Sequence, residues 1–349
     1  MIKKEAKMEE IKPSMEDWKA LYESAIEFKK LGCWDWMYDS DIFGIQNPSN
    51  DEIGYCCVMG KLGEFFGLAV YKGRDGLKTY IRVRNGELEP GDPEIIIAQK
   101  CLMASYEDRE DLTDKDRKII KDLGLKFRGH NEWPLFRTHD PGYFPWYLNK
   151  EQVQYLTLVI QQSMDIASKF KEDEKFLGPR KGNKVPVWIP KKVDSDWVWE
   201  NKLMKVEIPK GLEYTYAELN ADFVDQVKSA IKRRINPWEI DFVISPATVS
   251  EKMGERPYYP YMIFVVDAKS GVILHTGFSD LWNHSGDLMD AFTDTIQKLE
   301  AFPSEIFVKS QEVYELLKVA AEQLGIKITP KERLPAIENM MSFLMERLV

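Results

Sequence analysis

Residues 238–244, "WEIDFVI", and residues 261–274, "YMIFVVDAKSGVIL", decide how this chain is read. Both are runs of β-branched and aromatic residues, the composition of strands. Each sets an aspartate, Asp241 and Asp267, among residues that want a core. Such a carboxylate is either a turn or strand-end residue bonded to nearby backbone, or a metal ligand in a nuclease-like sheet. The turn residues "AKSG" (268–271) join the second stretch to "VILHTGFS" (272–279), so these two strands are expected to form a hairpin.

Beyond the hairpin the pattern stays regular. In "DLMDAFTDTIQKLEAF" (287–302), Leu288, Ala291, Phe292, Ile296 and Leu299 share one helical face. "EIFVKS" (305–310) reads as a strand, and "QEVYELLKVAAEQLG" (311–325) as a helix closed by Gly325. "IKIT" and "LPAIENMMSFLMERL" supply a last strand and helix. Three strands followed by helix–strand–helix–strand–helix predict a mixed sheet with helices packed on it.

Toward the N-terminus, Ser14 caps a helix with Asp17 three residues on, and Gly32 stops it. Residues 33–54 read as an aromatic, acidic loop. "IGYCCVMGKLGEFFGLAVYKG" (53–73) reads as two strands joined through glycines. "DGLKTYIRVRNG" (75–86) fits helix or strand. Residues 94–108, "EIIIAQKCLMASYED", read as a strand region, 112–124 as a short helix, and 133–148 as a Pro-rich aromatic segment. Asn149 starts a long amphipathic helix. Residues 171–184 form the best linker candidate, 185–209 a strand meander assigned to the first domain, and 220–235 a helix ending in Lys232, Arg233 and Arg234. The basic end suits the helix dipole.

At 349 residues the chain is expected to hold two domains: residues 1–210, a mixed α+β domain, and 211–349, a mixed sheet with packed helices, the boundary falling between about 176 and 236. With 44% hydrophobic and 30% charged residues, the composition is that of a soluble globular protein. The N-terminus lacks the apolar segment of a secretory signal, no apolar run is long enough to span a bilayer, and a cytoplasmic location is expected. Cys33, Cys56, Cys57 and Cys101 form no C-x-x-C pair and read as reduced core thiols. The net charge of -9 argues against broad nucleic-acid binding, which needs a positive field.

The element order of the last third resembles the ribonuclease-H-like fold. "WEIDF" is similar to the first strand of retroviral-type integrases and transposases, "FVVDAKSGVIL" to their second strand and hairpin, and "LPAIENM" to the start of their final helix. The resemblance covers roughly Pro237 to Val349. It implies phosphoryl transfer on nucleic acid, with two Mg²⁺ or Mn²⁺ ions held by carboxylates. Carried over, the first carboxylate is Asp241 and the last Glu338. Where the family has its middle Asp, this chain has Lys309, Ser310 and Gln311. An ammonium there opposes a cation, so the resemblance implies a degenerate copy of the fold, with Asp241, Asp267 and Glu338 as remnant candidates and no cofactor. Across its length the chain also resembles a two-domain family of uncharacterised prokaryotic proteins, through "WDWMYDSDIFGI", "GYCCVMGKLGEFFGLAVYKGRDGL" and "RPYYPYMIFVVDAKSGVIL".

Other stretches carry weaker signals. Gly60, Gly63 and Gly67 lack phosphate-loop spacing and suit a hairpin. Arg180, Lys181 and Lys184 could cradle an anion but read as a solvated loop. His275 and His284 flank Asp280 and precede Asp287 without a metal-helix spacing. His139 and Asp140 have no nucleophile motif beside them. The aromatic stretches "WDWMYDSDIF", "GYFPWYL" and "RPYYPY" are assigned to core packing ahead of binding. The expected function is a non-catalytic recognition or scaffold protein with an unspecified, possible protein partner. Two alternatives stand beside it: a divergent Mg- or Mn-dependent nuclease or strand-transfer enzyme using Asp241, Glu338 and Asp267 or Glu312, and a small-molecule binder with an interdomain cleft.

Overall fold

The computed structural model describes residues 11–88, 92–178, 184–194, 196–206 and 218–348. The chain divides into two compact units, Lys3–Pro209 and Lys210–Val349. Arg180 and Lys181 lie outside the described residues.

The N-terminal unit opens with α1 (Met15–Leu31). Ser14 accepts a hydrogen bond from the Asp17 N–H while the Asp17 carboxylate accepts one from the Ser14 N–H, and Gly32, at φ 60°, ends the helix. A seven-stranded sheet follows, built from β1 (Phe43–Gln46), β2 (Ile53–Met59), β3 (Phe66–Lys72), β4 (Cys101–Glu107), β5 (Trp133–His139), β6 (Lys184–Val193) and β7 (Asp196–Lys205). Its order is β5-β4-β3-β2-β1-β6-β7, antiparallel throughout except for the parallel β1–β6 pair. Between strands lie α2 (Gly73–Arg84), α3 (Pro93–Ala98), α4 (Asp114–Asp122) and α5 (Lys150–Glu172).

Strand alternation sorts the core into two layers. Cys56, Val58, Leu68, Val70, Leu102, Ala104 and Tyr106 face α1 and α5, whose Leu21, Tyr22, Phe28, Leu156 and Ile160 complete the main core. Cys57, Ala69, Tyr71 and Cys101 face the other way, toward Leu77 and Tyr80 of α2. The two adjacent cysteines thus enter different layers, and all four are free and buried. Burial pushes the Cys33 and Cys101 thiols up to about 12.

Two segments depart from the expected reading, and the one that fitted helix or strand is resolved. The aromatic loop contains β1, and the ambiguous segment is α2. "EIIIA", expected as strand, is helix: Asp92 accepts from the Glu94 N–H and Pro93 occupies the first turn, a start signal that outweighs the β-branched run.

The C-terminal unit contains α6 (Ala221–Ala230), β8 (Arg234–Ile235), β9 (Trp238–Ile244), β10 (Tyr261–Asp267), β11 (Ile273–Ser279), α7 (His284–Leu299), β12 (Phe302–Pro303), β13 (Glu305–Val308), α8 (Gln311–Leu324), β14 (Lys327–Pro330) and α9 (Pro335–Leu348). The main sheet runs β11-β10-β9-β13-β14, and β8 pairs with β12 separately. β9, β10 and β11 are antiparallel, as the hairpin reading expects, whereas β9, β13 and β14 are parallel. One face carries Trp238, Ile240, Ile263 and Val265 against α7 and α8. The other carries Met262, Phe264 and Val266 against Leu334 and Ile337 at the start of α9. A mixed sheet flanked by helices in this order is compatible with a ribonuclease-H-like arrangement. No described helix in either unit is long and apolar enough to cross a membrane.

Candidate functional site

β9 is the central strand, and its polar residues decide the chemistry of this unit. Trp238, Ile240 and Phe242 pack with the α7–α8 layer, so Glu239 and Asp241 fall on the α9 face. Both are buried, at 3% and 4% exposure. A carboxylate in such a place must be bonded or neutralised.

Asp241 is bonded on both oxygens. Oδ2 accepts from the N–H groups of Lys309 (2.8 Å) and Ser310 (2.9 Å), and Oδ1 from its neighbour Phe242 (2.9 Å). Lys309 and Ser310 form the turn from β13 into α8, whose cap is Ser310. The parallel register sets Phe307 opposite Glu239, which brings Lys309 level with Asp241 two residues further on. Asp241 therefore ties the entrance of α8 to the central strand. Burial pushes its carboxyl above the usual carboxylate range, against the three backbone donors and the charge of Lys309.

Glu239 plays the same part for α9. Its Oε2 accepts from the Ile337 N–H at 2.9 Å, in the first turn of that helix. Burial raises its carboxyl too, opposed by the Ile337 and Ala336 N–H groups. A helix N-terminus attracts anions because its first N–H groups lack internal partners. Here the protein's own strand carboxylates fill two such positions.

Glu338 and Asp267 are used elsewhere. Glu338 accepts from Arg333 through Nε (2.9 Å) and Nη2, which holds its carboxyl below the usual value, and the Lys309 charge acts in the same direction. Asp267 pairs in register with Trp238 and so lies on the α7–α8 face, opposite Asp241. Its Oδ1 accepts from the N–H groups of Lys269 (3.0 Å) and Ser270 (2.9 Å), and its Oδ2 from Asn236 Nδ2 (3.1 Å). This is an aspartate folding its own hairpin turn. Burial alone would raise its carboxyl; the Ser270 N–H, Asn236 and the remaining donors outweigh that and lower it. Glu312 bonds His284 Nε2 at 2.9 Å, while His284 Nδ1 lies 3.0 Å from the Leu281 carbonyl.

The structure thus brings Glu239, Asp241, Lys309 and Glu338 to one face and leaves Asp267 on the other. Lys309 acts electrostatically on both Asp241 and Glu338. Among the described residues, no three His, Cys, Asp or Glu side chains come together as a metal-binding group. Asp241 spends three of its roughly four acceptor positions on backbone donors, which leaves little for a divalent ion. Asp280 does not join a histidine cluster; it accepts from the Trp282 and Asn283 N–H groups ahead of α7, and Asp287 accepts from Ser279.

Glu239 escaped the sequence reading as a site residue. Its neighbour in "WEIDF" drew attention through the fold resemblance, and its partner is 98 residues away. Its signal was the i, i+2 spacing to Asp241, which puts both carboxylates on one face.

Residues 18–187 match the model of a domain of unknown function, DUF7309. Residues 224–345 match that of a second domain of unknown function, DUF6930. No curated protein matches this chain.

Proposed function

We propose that the C-terminal unit is a ribonuclease-H-like domain without nuclease chemistry, and that the protein is a recognition or scaffold protein. The observation that carries this reading is the use of Asp241: Oδ2 accepts the Lys309 and Ser310 N–H groups at the entrance of α8, Oδ1 accepts the Phe242 N–H, and Lys309, whose charge acts on Asp241 from a distance, stands at the position where the related enzymes have a further carboxylate. Bridging metal ions require oxygens with free lone pairs and a negative site. In this reading the carboxylates serve helix placement, and the parts of the fold that bind nucleic acid in enzymes are free to serve another partner.

The test is hydrolysis of single- and double-stranded DNA and RNA by the full chain with Mg²⁺ or Mn²⁺. No metal-dependent cleavage is expected above that of an Asp241→Asn preparation. Cleavage that requires both the metal and Asp241 overturns the reading. A melting temperature unchanged by millimolar Mn²⁺ is the matching expectation, since an ion held only by the native state would raise it.

A further inference from the structure

The N-terminal unit contains a cleft of about 440 Å³ that owes nothing to the carboxylates of β9. It exists because α2 covers only part of its face of the seven-stranded sheet. Over β2 and β3, Leu77 and Tyr80 close the layer on Cys57 and Tyr71. Toward β5 the cleft opens over Met103, Ser105 and Glu107 of β4, bordered by the segment Phe144–Tyr147 and by Asp111 and Thr113 ahead of α4. This size lies in the range of about 300–1,000 Å³ common for small-molecule sites.

The walls are aromatic. Phe65 and Phe144 remain 39% and 43% exposed, and Trp146 and Tyr147 stand beside them. Gly67 shapes the Phe65 side: a Cβ there would meet the Ala104 carbonyl oxygen at 2.7 Å and the Phe65 ring at 3.2 Å. Without one, that ring lies close over the strand.

The floor holds two polar groups that the protein does not use. Ser105 is only 4% exposed and lines the cleft, and its hydroxyl bonds no protein group among the described residues. The Glu107 carboxylate, two residues along the same strand face, has no hydrogen-bond or ion-pair partner among them either. Both groups line the open cleft, where a ligand can replace solvent as their hydrogen-bond partner. The one guanidinium in the cleft, Arg137, is already neutralised: it holds Asp116 in a two-pronged pair at 3.0 and 2.6 Å, donates to the Phe136 carbonyl and stacks 4.8 Å from the Tyr147 ring. Asp111 adds a second carboxylate at the rim. The Lys115 ammonium already stands 3.6 Å from the centre of the Tyr147 ring, so that ring is taken. The carboxylate on the floor without a partner among the described residues is Glu107, and Phe65, Phe144 and Trp146 line the cleft around it, a combination that favours an organic cation.

We propose that this cleft binds a small primary or secondary amine in its ammonium form, with the charged nitrogen donating to Glu107 and Ser105 and an apolar body between Phe65, Phe144 and Trp146. The proposal is independent of the reading of the C-terminal unit; cleavage of nucleic acid by that unit would leave it untouched.

The test is calorimetric titration of the full chain at neutral pH with 2-phenylethylammonium, the neutral 2-phenylethanol and the anionic 3-phenylpropionate. The amine is expected to bind saturably and at least about tenfold tighter than the alcohol, and the acid not at all. Glu107→Gln should remove that preference with the melting temperature unchanged, and Trp146→Ala should weaken amine and alcohol together. Glu110→Gln, outside the cleft, should bind as the parent does. No saturable binding of the amine, equal binding of amine and alcohol, or full amine affinity in a folded Glu107→Gln protein would each overturn the proposal.

Discussion

Asp116 in the N-terminal unit and Asp241 in the C-terminal unit are both buried aspartates, at 6% and 4% exposure, yet they are held in opposite ways. Burial pushes each carboxyl upward. At Asp116, hydrogen bonds and charge from Arg137, helped by Thr113, outweigh burial and bring the carboxyl below its usual value. At Asp241 the donors are neutral backbone N–H groups and a more distant ammonium, and burial wins. An opposed formal charge keeps a buried carboxylate ionised where uncharged dipoles do not. The contrast also separates ways of building: an ion pair across a sheet edge in one unit, helix entrances pinned to a central strand in the other.

The largest effect should come from breaking the ion pair. Arg137→Leu leaves Asp116 charged and buried with only Thr113 to bond it, at a cost of about 3–5 kcal/mol in urea unfolding. Replacing both residues, Asp116→Leu with Arg137→Leu, should recover most of that. If the double variant is as unstable as the single one, packing rather than charge dominates the site. Next comes Asp241→Asn. Its carbonyl can accept from Lys309 and Ser310, but its amide then faces the Phe242 N–H, and a loss of about 1–3 kcal/mol is expected. A gain in stability would mean that the charge costs more than its hydrogen bonds return.

The pH dependence of the two should have opposite sign. Asp116 has a folded value below its unfolded 3.8, so its stabilisation is present above that value and fades as pH falls through the lowered one. Glu239, raised above its unfolded 4.5, stabilises most below 4.5, and that share is lost as pH rises through the higher folded value. Urea midpoints measured from about pH 3 to 7 should therefore show the advantage of the parent over Asp116→Asn shrinking in acid, while the parent gains on Glu239→Gln. Parallel curves would refute the contrast. The smallest effect belongs to Ser14→Ala, which removes the exposed cap of α1 and should cost about 1 kcal/mol in thermal unfolding.

Local rules made much of this architecture legible. Ser14, Asn149 and Gly325 end their helices as their residue types require, and "AKSG" turns its hairpin. The strand and helix order after Trp238 follows from periodicity alone. What could not be read depends on distant partners. β1 is four residues long inside an aromatic loop and is fixed by pairing with β2 and β6. Asp267 bonds its own turn, the kind of local arrangement a sequence advertises. Asp241 bonds groups 68 and 69 residues away, so its role as a helix anchor stayed hidden behind its resemblance to a metal ligand. The stretch "GYFPWYL", assigned to core packing, places Phe144, Trp146 and Tyr147 on an open cleft because exposure depends on how far α2 reaches.

The parallel joint between β1 and β6 governs the order in which the first unit can be completed. Gly44 and Val187 are partners, and a Cβ on Gly44 would come within 2.9 Å of the Val187 side chain, so the seam admits no slack. As the chain leaves the ribosome, β1 gains β2 almost at once, while its other edge stays bare until the β6–β7 ribbon emerges long afterwards. That late seam raises the contact order of the sheet and sets the interval in which a nascent chain is most open to pairing with the wrong strand.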